Sequence, residues 1–98
     1  MTRYLIYFKD GTAYRDIYPE IRYARKSAVK LIKSGMNVDK ISPISSGHPH
    51  AQYINFTKLD HGRWDITIDV WNTQKKRYST HILYSDGTIS KYGAISKY

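Results

Sequence analysis

The stretch RWDITIDVW, residues 63–71, constrains the chain more than any other. Trp64, Ile66, Ile68 and Val70 fall on one parity and Arg63, Asp65, Thr67 and Asp69 on the other. That alternation is the period-two signature of a strand with one dry and one wet face, and it predicts a central strand of an antiparallel sheet.

Ninety-eight residues suffice for one compact domain and are too few for two. With no cysteine, neither disulfides nor thiolate metal sites hold the fold, and a reducing compartment is compatible. The amino terminus has only five apolar or aromatic positions in a row, Tyr4 to Phe8, shorter than a signal-peptide core and far shorter than a membrane span. A cytoplasmic protein is the expectation, with no membrane partner. Lys and Arg outnumber Asp and Glu by 16 to 8 and the net charge is +8. The excess is spread over both halves, so a general bias toward anionic partners follows and a separate basic tail does not.

Residues 3–9 are rich in β-branched and aromatic types and end at Asp10-Gly11, a dipeptide that supplies positive φ in a hairpin turn. Residues 12–18 are the expected returning strand. Pro19 suits the first turn of a helix that runs to about Ser34, with Glu20 placed favourably for its dipole and Gly35 as a left-handed terminator. Within it Ile21, Ala24, Ala28, Leu31 and Ile32 gather on one stripe facing the sheet. Val38, Ile41 and Ile44 predict a further extended segment, which Pro43 confines to an edge or ends.

Residues 45–51 form the connecting loop between a ββαβ amino half, residues 1–44, and a β-rich carboxyl half, residues 52–98. The carboxyl half reads as a four-strand meander over residues 52–59, 63–71, 77–84 and 88–92, with turns at Asp60-His61-Gly62 and Ser85-Asp86-Gly87. The fold class is therefore α+β, a single domain with one helix packed on a mostly antiparallel sheet. Two internal echoes occur. IYFKDGT (6–12) resembles ILYSDGT (82–88), the same turn chemistry used twice, and ISKY recurs at 89–92 and 95–98. The terminal copy is placed to pair with a sheet edge or with a second chain, which allows a homodimer.

No catalytic or cofactor signature is present. His48-Pro49-His50 puts two imidazoles on one side of an extended segment, but its neighbours argue for solvated loop histidines over a metal site. Asp65 and Asp69 on the wet face read as partners of basic residues on adjacent strands, and a non-enzymatic protein is expected. The positive signal is basic and aromatic. Arg22, Arg25, Lys26, Lys30 and Lys33 form one candidate anion surface on the helix, with Tyr23 beside them. Lys75, Lys76 and Arg77 form another, with Tyr78 alongside. Lys and Arg neutralise phosphates, and a tyrosine ring gives unpaired bases a stacking face. The chain therefore reads as a small nucleic-acid-binding domain, for DNA or RNA, that contacts the phosphate backbone. The alternative is an inhibitor or adaptor that docks on an acidic protein surface, for example of a CRISPR or other nucleic-acid-processing enzyme. In composition the chain is similar to small proteins encoded by phages and mobile elements.

Overall fold

The computed structural model describes residues 3–44, 51–58, 66–72 and 75–90. They form β1 (Tyr4–Phe8), α1 (Ile21–Lys33), β2 (Val38–Pro43), β3 (Ile54–Lys58), β4 (Ile66–Asn72) and β5 (Arg77–Leu83). The strands lie in one sheet in the order β1-β2-β3-β4-β5, and every neighbour is antiparallel. This is the expected α+β class, with α1 between two strands that pair side by side.

The register separates the two faces. Ile6 pairs with Ile41, Ile41 with Ile54 and Ile54 with Val70, a continuous apolar row across four strands. Phe56, Ile66, Ile68 and Leu83 add to the same side, and Ala24, Ala28 and Val29 of α1 close over it, all of them buried. Two alanines at the contact let the helix backbone come close to the sheet. The stripe expected from the sequence thus packs where its spacing placed it, with Ile21, Leu31 and Ile32 at its half-buried margins.

The helix ends as the sequence predicts. Gly35 has φ +97, its N–H donates to the Ile32 carbonyl at 3.0 Å, and the Met36 N–H donates to Leu31 at 3.0 Å, the paired bonds of a Schellman terminator. Its start is one correction. Glu20 is the N-cap, in an extended conformation with no side-chain capping bond, and the first turn holds no acidic residue. Pro19 therefore precedes the helix, and the Glu20 carboxylate is turned to Arg22.

Three strand expectations also change. The return arm of the first hairpin touches β1 only at the bridges Tyr7 to Ala13 and Tyr4 to Tyr18. Three steps on β1 match five on the return, so no continuous ladder can form. β2 is an interior strand that ends at Pro43, one of the two outcomes the proline allowed, and its pairing with β3 at Lys40 to Asn55 and Ile41 to Ile54 stops short of that residue. β4 is paired on both sides but lies fourth of five. After β5, Leu83 meets Ile89 in a single bridge in place of the expected fourth strand of the meander.

The two Asp-Gly turns are the same object. Gly11 and Gly87 have φ +90 and +92. The N–H of Phe8 donates to Thr12 O and that of Tyr84 to Thr88 O, both at 2.8 Å. In each turn the Asp Oδ1 accepts from the N–H of the following Thr at 2.9 Å and from its hydroxyl at 2.6 Å. A three-residue loop closed by a left-handed glycine gives this pattern. The echo at residues 6–12 and 82–88 is thus one turn geometry used twice.

Candidate functional site

The cationic helix residues divide. Arg22, Lys26, Lys30 and Lys33 are exposed on the outward side of α1, as is Tyr23. Arg22 is held locally. Its Nη2 donates to Glu20 Oε2 at 3.2 Å and to the Tyr23 hydroxyl at 3.2 Å, and its guanidinium lies 4.9 Å from the Tyr23 ring centroid. The nearby Glu20 charge raises the Arg22 pKa, although an ion pair this exposed stabilises little. These partners account for a cation at the start of a helix, where the dipole disfavours it. Arg25 is not part of the outward surface. It is half-buried, its Nε donates to the Gly87 carbonyl at 2.9 Å, and burial lowers its pKa. It joins α1 to the turn after β5. A shallow cleft of about 320 Å³ lies there, between Arg22, Lys26, Asp86 and Thr88.

Lys75, Lys76, Arg77 and Tyr78 are all exposed on the β4–β5 connection and the first residues of β5. Lys76 has φ +53, a left-handed conformation that turns the chain into β5. This group stands at the opposite end of β5 from the Ser85 to Gly87 turn that Arg25 holds. Six residue steps at ~3.3 Å put it roughly 20 Å away. The two cationic groups expected from the sequence are therefore separate surfaces.

Register supplies what surrounds the second group. Trp71 pairs with Tyr78, and their rings meet edge to face with centroids 4.9 Å apart. The Trp71 backbone N–H donates to the Tyr53 carbonyl at 2.8 Å, so Tyr53, just before β3, lies in one row with Trp71 of β4 and Tyr78 of β5. They alternate with buried Ile54 and half-buried Val70 and so lie on the face away from α1. Among the described residues, no second layer covers that face.

Two positions further along the same strands runs a polar row. Tyr7 pairs with Lys40, Lys40 with Asn55, Asn55 with Asp69 and Asp69 with Thr80. The Lys40 ammonium lies 5.4 Å from the Tyr7 ring centroid, and the Thr80 hydroxyl donates to Asp69 Oδ1 at 2.9 Å. The second face thus presents three bands in order: the turn cations, the aromatic row and the polar row. Arg3, exposed beside Ile44, lies at the same end of the sheet as the turn cations.

No protein-family model, no curated protein and no solved structure matches this chain. Of the residues singled out from the sequence, the fold keeps Lys75, Lys76, Arg77 and Tyr78 together as one exposed group, leaves Lys26, Lys30 and Lys33 on a separate helix surface with Arg22 and Tyr23, and makes Arg25 a structural tie. Tyr53 and Trp71 were missed. Trp71 continues the wet parity of residues 63–71, which was the available signal, but its partners are set by pairing with strands distant in sequence. Among the described residues, no group of three or more His, Asp or Glu side chains is placed to hold a metal ion, and His48, His50, Asp60 and Asp65 lie outside them. No helix among them is long and apolar enough to cross a membrane.

Proposed function

We propose that the protein is a non-enzymatic binder of single-stranded nucleic acid, which it takes on the sheet face away from α1. The observation that carries this reading is the row Tyr53, Trp71 and Tyr78 with Lys75, Lys76 and Arg77 at its border. An aromatic ring on a sheet face that no second layer covers among the described residues offers unpaired bases a stacking partner that a duplex cannot use, because its bases are already stacked. Cations at the edge of the row neutralise phosphates and release counterions, which adds affinity without reading sequence. With a net charge of +8, the whole molecule attracts such a ligand.

Fluorescence anisotropy with single- and double-stranded oligonucleotides at two salt concentrations tests the proposal. Single strands should bind more tightly than duplex. Lys76→Ala should reduce the slope of log affinity against log salt by ~1, and Tyr78→Ala should weaken binding by ~1 to 3 kcal/mol. Lys30→Ala, on the other surface, should leave both unchanged. Failure of micromolar single strand to bind at low salt overturns the reading. A second reading, an inhibitor or adaptor that meets an acidic protein surface, is favoured by the outward placement of Lys26 and Lys30 away from the aromatic row. Sensitivity of partner binding to Lys30→Ala and not to Tyr78→Ala would select it.

A further inference from the structure

We infer that the cleft between the amino half of α1 and the turn after β5 is a binding site for a phosphomonoester, the dianionic end group of a nucleotide or of a phosphorylated side chain. The site is independent of the sheet-face reading and uses none of that face's residues. Its walls come from two elements distant in the chain. Arg22, Arg25 and Lys26 line one side, and Asp86 and Thr88 line the other. The bond from Arg25 Nε to the Gly87 carbonyl at 2.9 Å fixes their spacing. The opening of about 320 Å³ falls at the lower end of small-ligand sites, ~300 to 1,000 Å³.

Charge and hydrogen-bond donors both suit such a group. Three cations line the cleft against one carboxylate. Arginine carries five N–H donors in a planar fork. Arg25 commits one of them to Gly87, and those on its Nη atoms have no partner among the described residues although the residue is half-buried. A half-buried cation held by its own Nε is a pre-oriented donor, and hydrogen bonds left unmade there carry a cost that a ligand relieves. Arg22 shares one Nη between Glu20 and Tyr23 at 3.2 Å each, an exposed pairing weak enough to be exchanged for a phosphate. Lys26, exposed one turn further on, adds a point charge. Guanidinium forks meet phosphate oxygens two at a time. A monoester offers three free oxygens and close to two charges at neutral pH, where a backbone diester offers two oxygens and one charge. The net positive cleft and its spare donors therefore favour the monoester.

Titration of the full chain with adenosine monophosphate and with O-phosphoserine, followed by backbone amide NMR shifts, tests the site and separates the two sources of the group. Adenosine and cyclic adenosine monophosphate, a diester, should bind about tenfold more weakly than the monophosphate. Lys26→Ala and Arg22→Ala should each weaken monophosphate binding by about threefold to tenfold, and Asp86→Asn should strengthen it by about threefold. Lys30→Ala removes the same charge one helical turn beyond the cleft and should change affinity by less than about twofold. All four substitutions fall at exposed positions, where the fold tolerates them. Equal losses in Lys26→Ala and Lys30→Ala would reduce the effect to bulk charge and overturn the site. Equal binding of the monophosphate and its cyclic diester would do the same, as would no binding of either monoester at millimolar concentration. Loss of nucleotide binding in Tyr78→Ala with none in Lys26→Ala would place the nucleotide on the aromatic row and overturn the cleft while supporting the stacking reading. Failure of single strands to bind the sheet face would leave the cleft results unchanged.

Discussion

The Nε–H of Arg25 donates to the carbonyl of Gly87 at 2.9 Å, across 62 positions of chain, and ties the helix to the turn after β5. The same turn passes under the neighbouring residue. A Cβ built on Gly87 would lie 2.8 Å from the Cβ of Lys26 and 3.0 Å from its Cα. Helix and turn approach this closely because the turn presents a backbone with no side chain.

Arg25→Met keeps the apolar stem and removes the donor. The carbonyl of Gly87, the buried residue of an otherwise exposed turn, then loses its partner, and a loss of about 1 to 2 kcal/mol is expected from chemical unfolding. Oligonucleotide affinity should not change. A stable variant that binds more weakly would return Arg25 to the anion surface.

The two turn glycines should differ under the same substitution. Gly11→Ala forces a side chain into a left-handed φ in open space and should cost about 1 kcal/mol. Gly87→Ala carries that strain and drives a methyl into the Lys26 backbone, so its cost should be larger, by 1 kcal/mol or more. Urea midpoints of the two variants compare them directly. Equal midpoints would contradict the close approach.

Acid should weaken both turns. Hydrogen bonds from the Thr12 hydroxyl and N–H hold the Asp10 pKa below its ordinary 3.8, and those from Thr88 do the same for Asp86. A carboxylate whose folded pKa is depressed adds stability above its unfolded value and loses it as pH falls through the folded one. Thermal midpoints should therefore drop below about pH 4, and Asp10→Asn with Asp86→Asn should flatten that acid limb. An unchanged acid limb in the double variant would count against these turns as its source.

Ala28 is fully buried between helix and sheet. Ala28→Leu should push α1 off the apolar row and destabilise the fold by about 1 to 3 kcal/mol, seen as a lowered urea midpoint. Ser34→Ala, on an exposed residue whose hydroxyl donates to the Leu31 carbonyl at 2.7 Å, should cost under ~1 kcal/mol.

Much of the fold was legible because its signals are local. The spacing of Ala24 and Ala28 marks a helix stripe, Gly35 ends it, and the repeated Asp-Gly-Thr closes two turns with the same bonds. The parity of Ile66, Ile68 and Val70 marks a dry face wherever that strand lies. Less legible was the length of the return arm after Gly11, where a run of Tyr and Ile resembles a strand but is out of step with β1. Arg25 was misplaced because a helical period gives the direction of a side chain and not what the sheet brings beneath it.

The sequence alone determined the helix and its end, the two Asp-Gly turns, the polarity of burial along α1 and β4, and an excess of positive charge, since each follows from neighbouring residues and covalent geometry. Only the tertiary structure decided that Tyr53, Trp71 and Tyr78 form one row, that Asp69 stands next to it, and that the helix cations are separated from the turn cations. Those relations arise from register between strands far apart in the chain. A one-residue slip would carry a strand's whole side-chain pattern to the other face, and matching apolar rows across four strands hold that register in place.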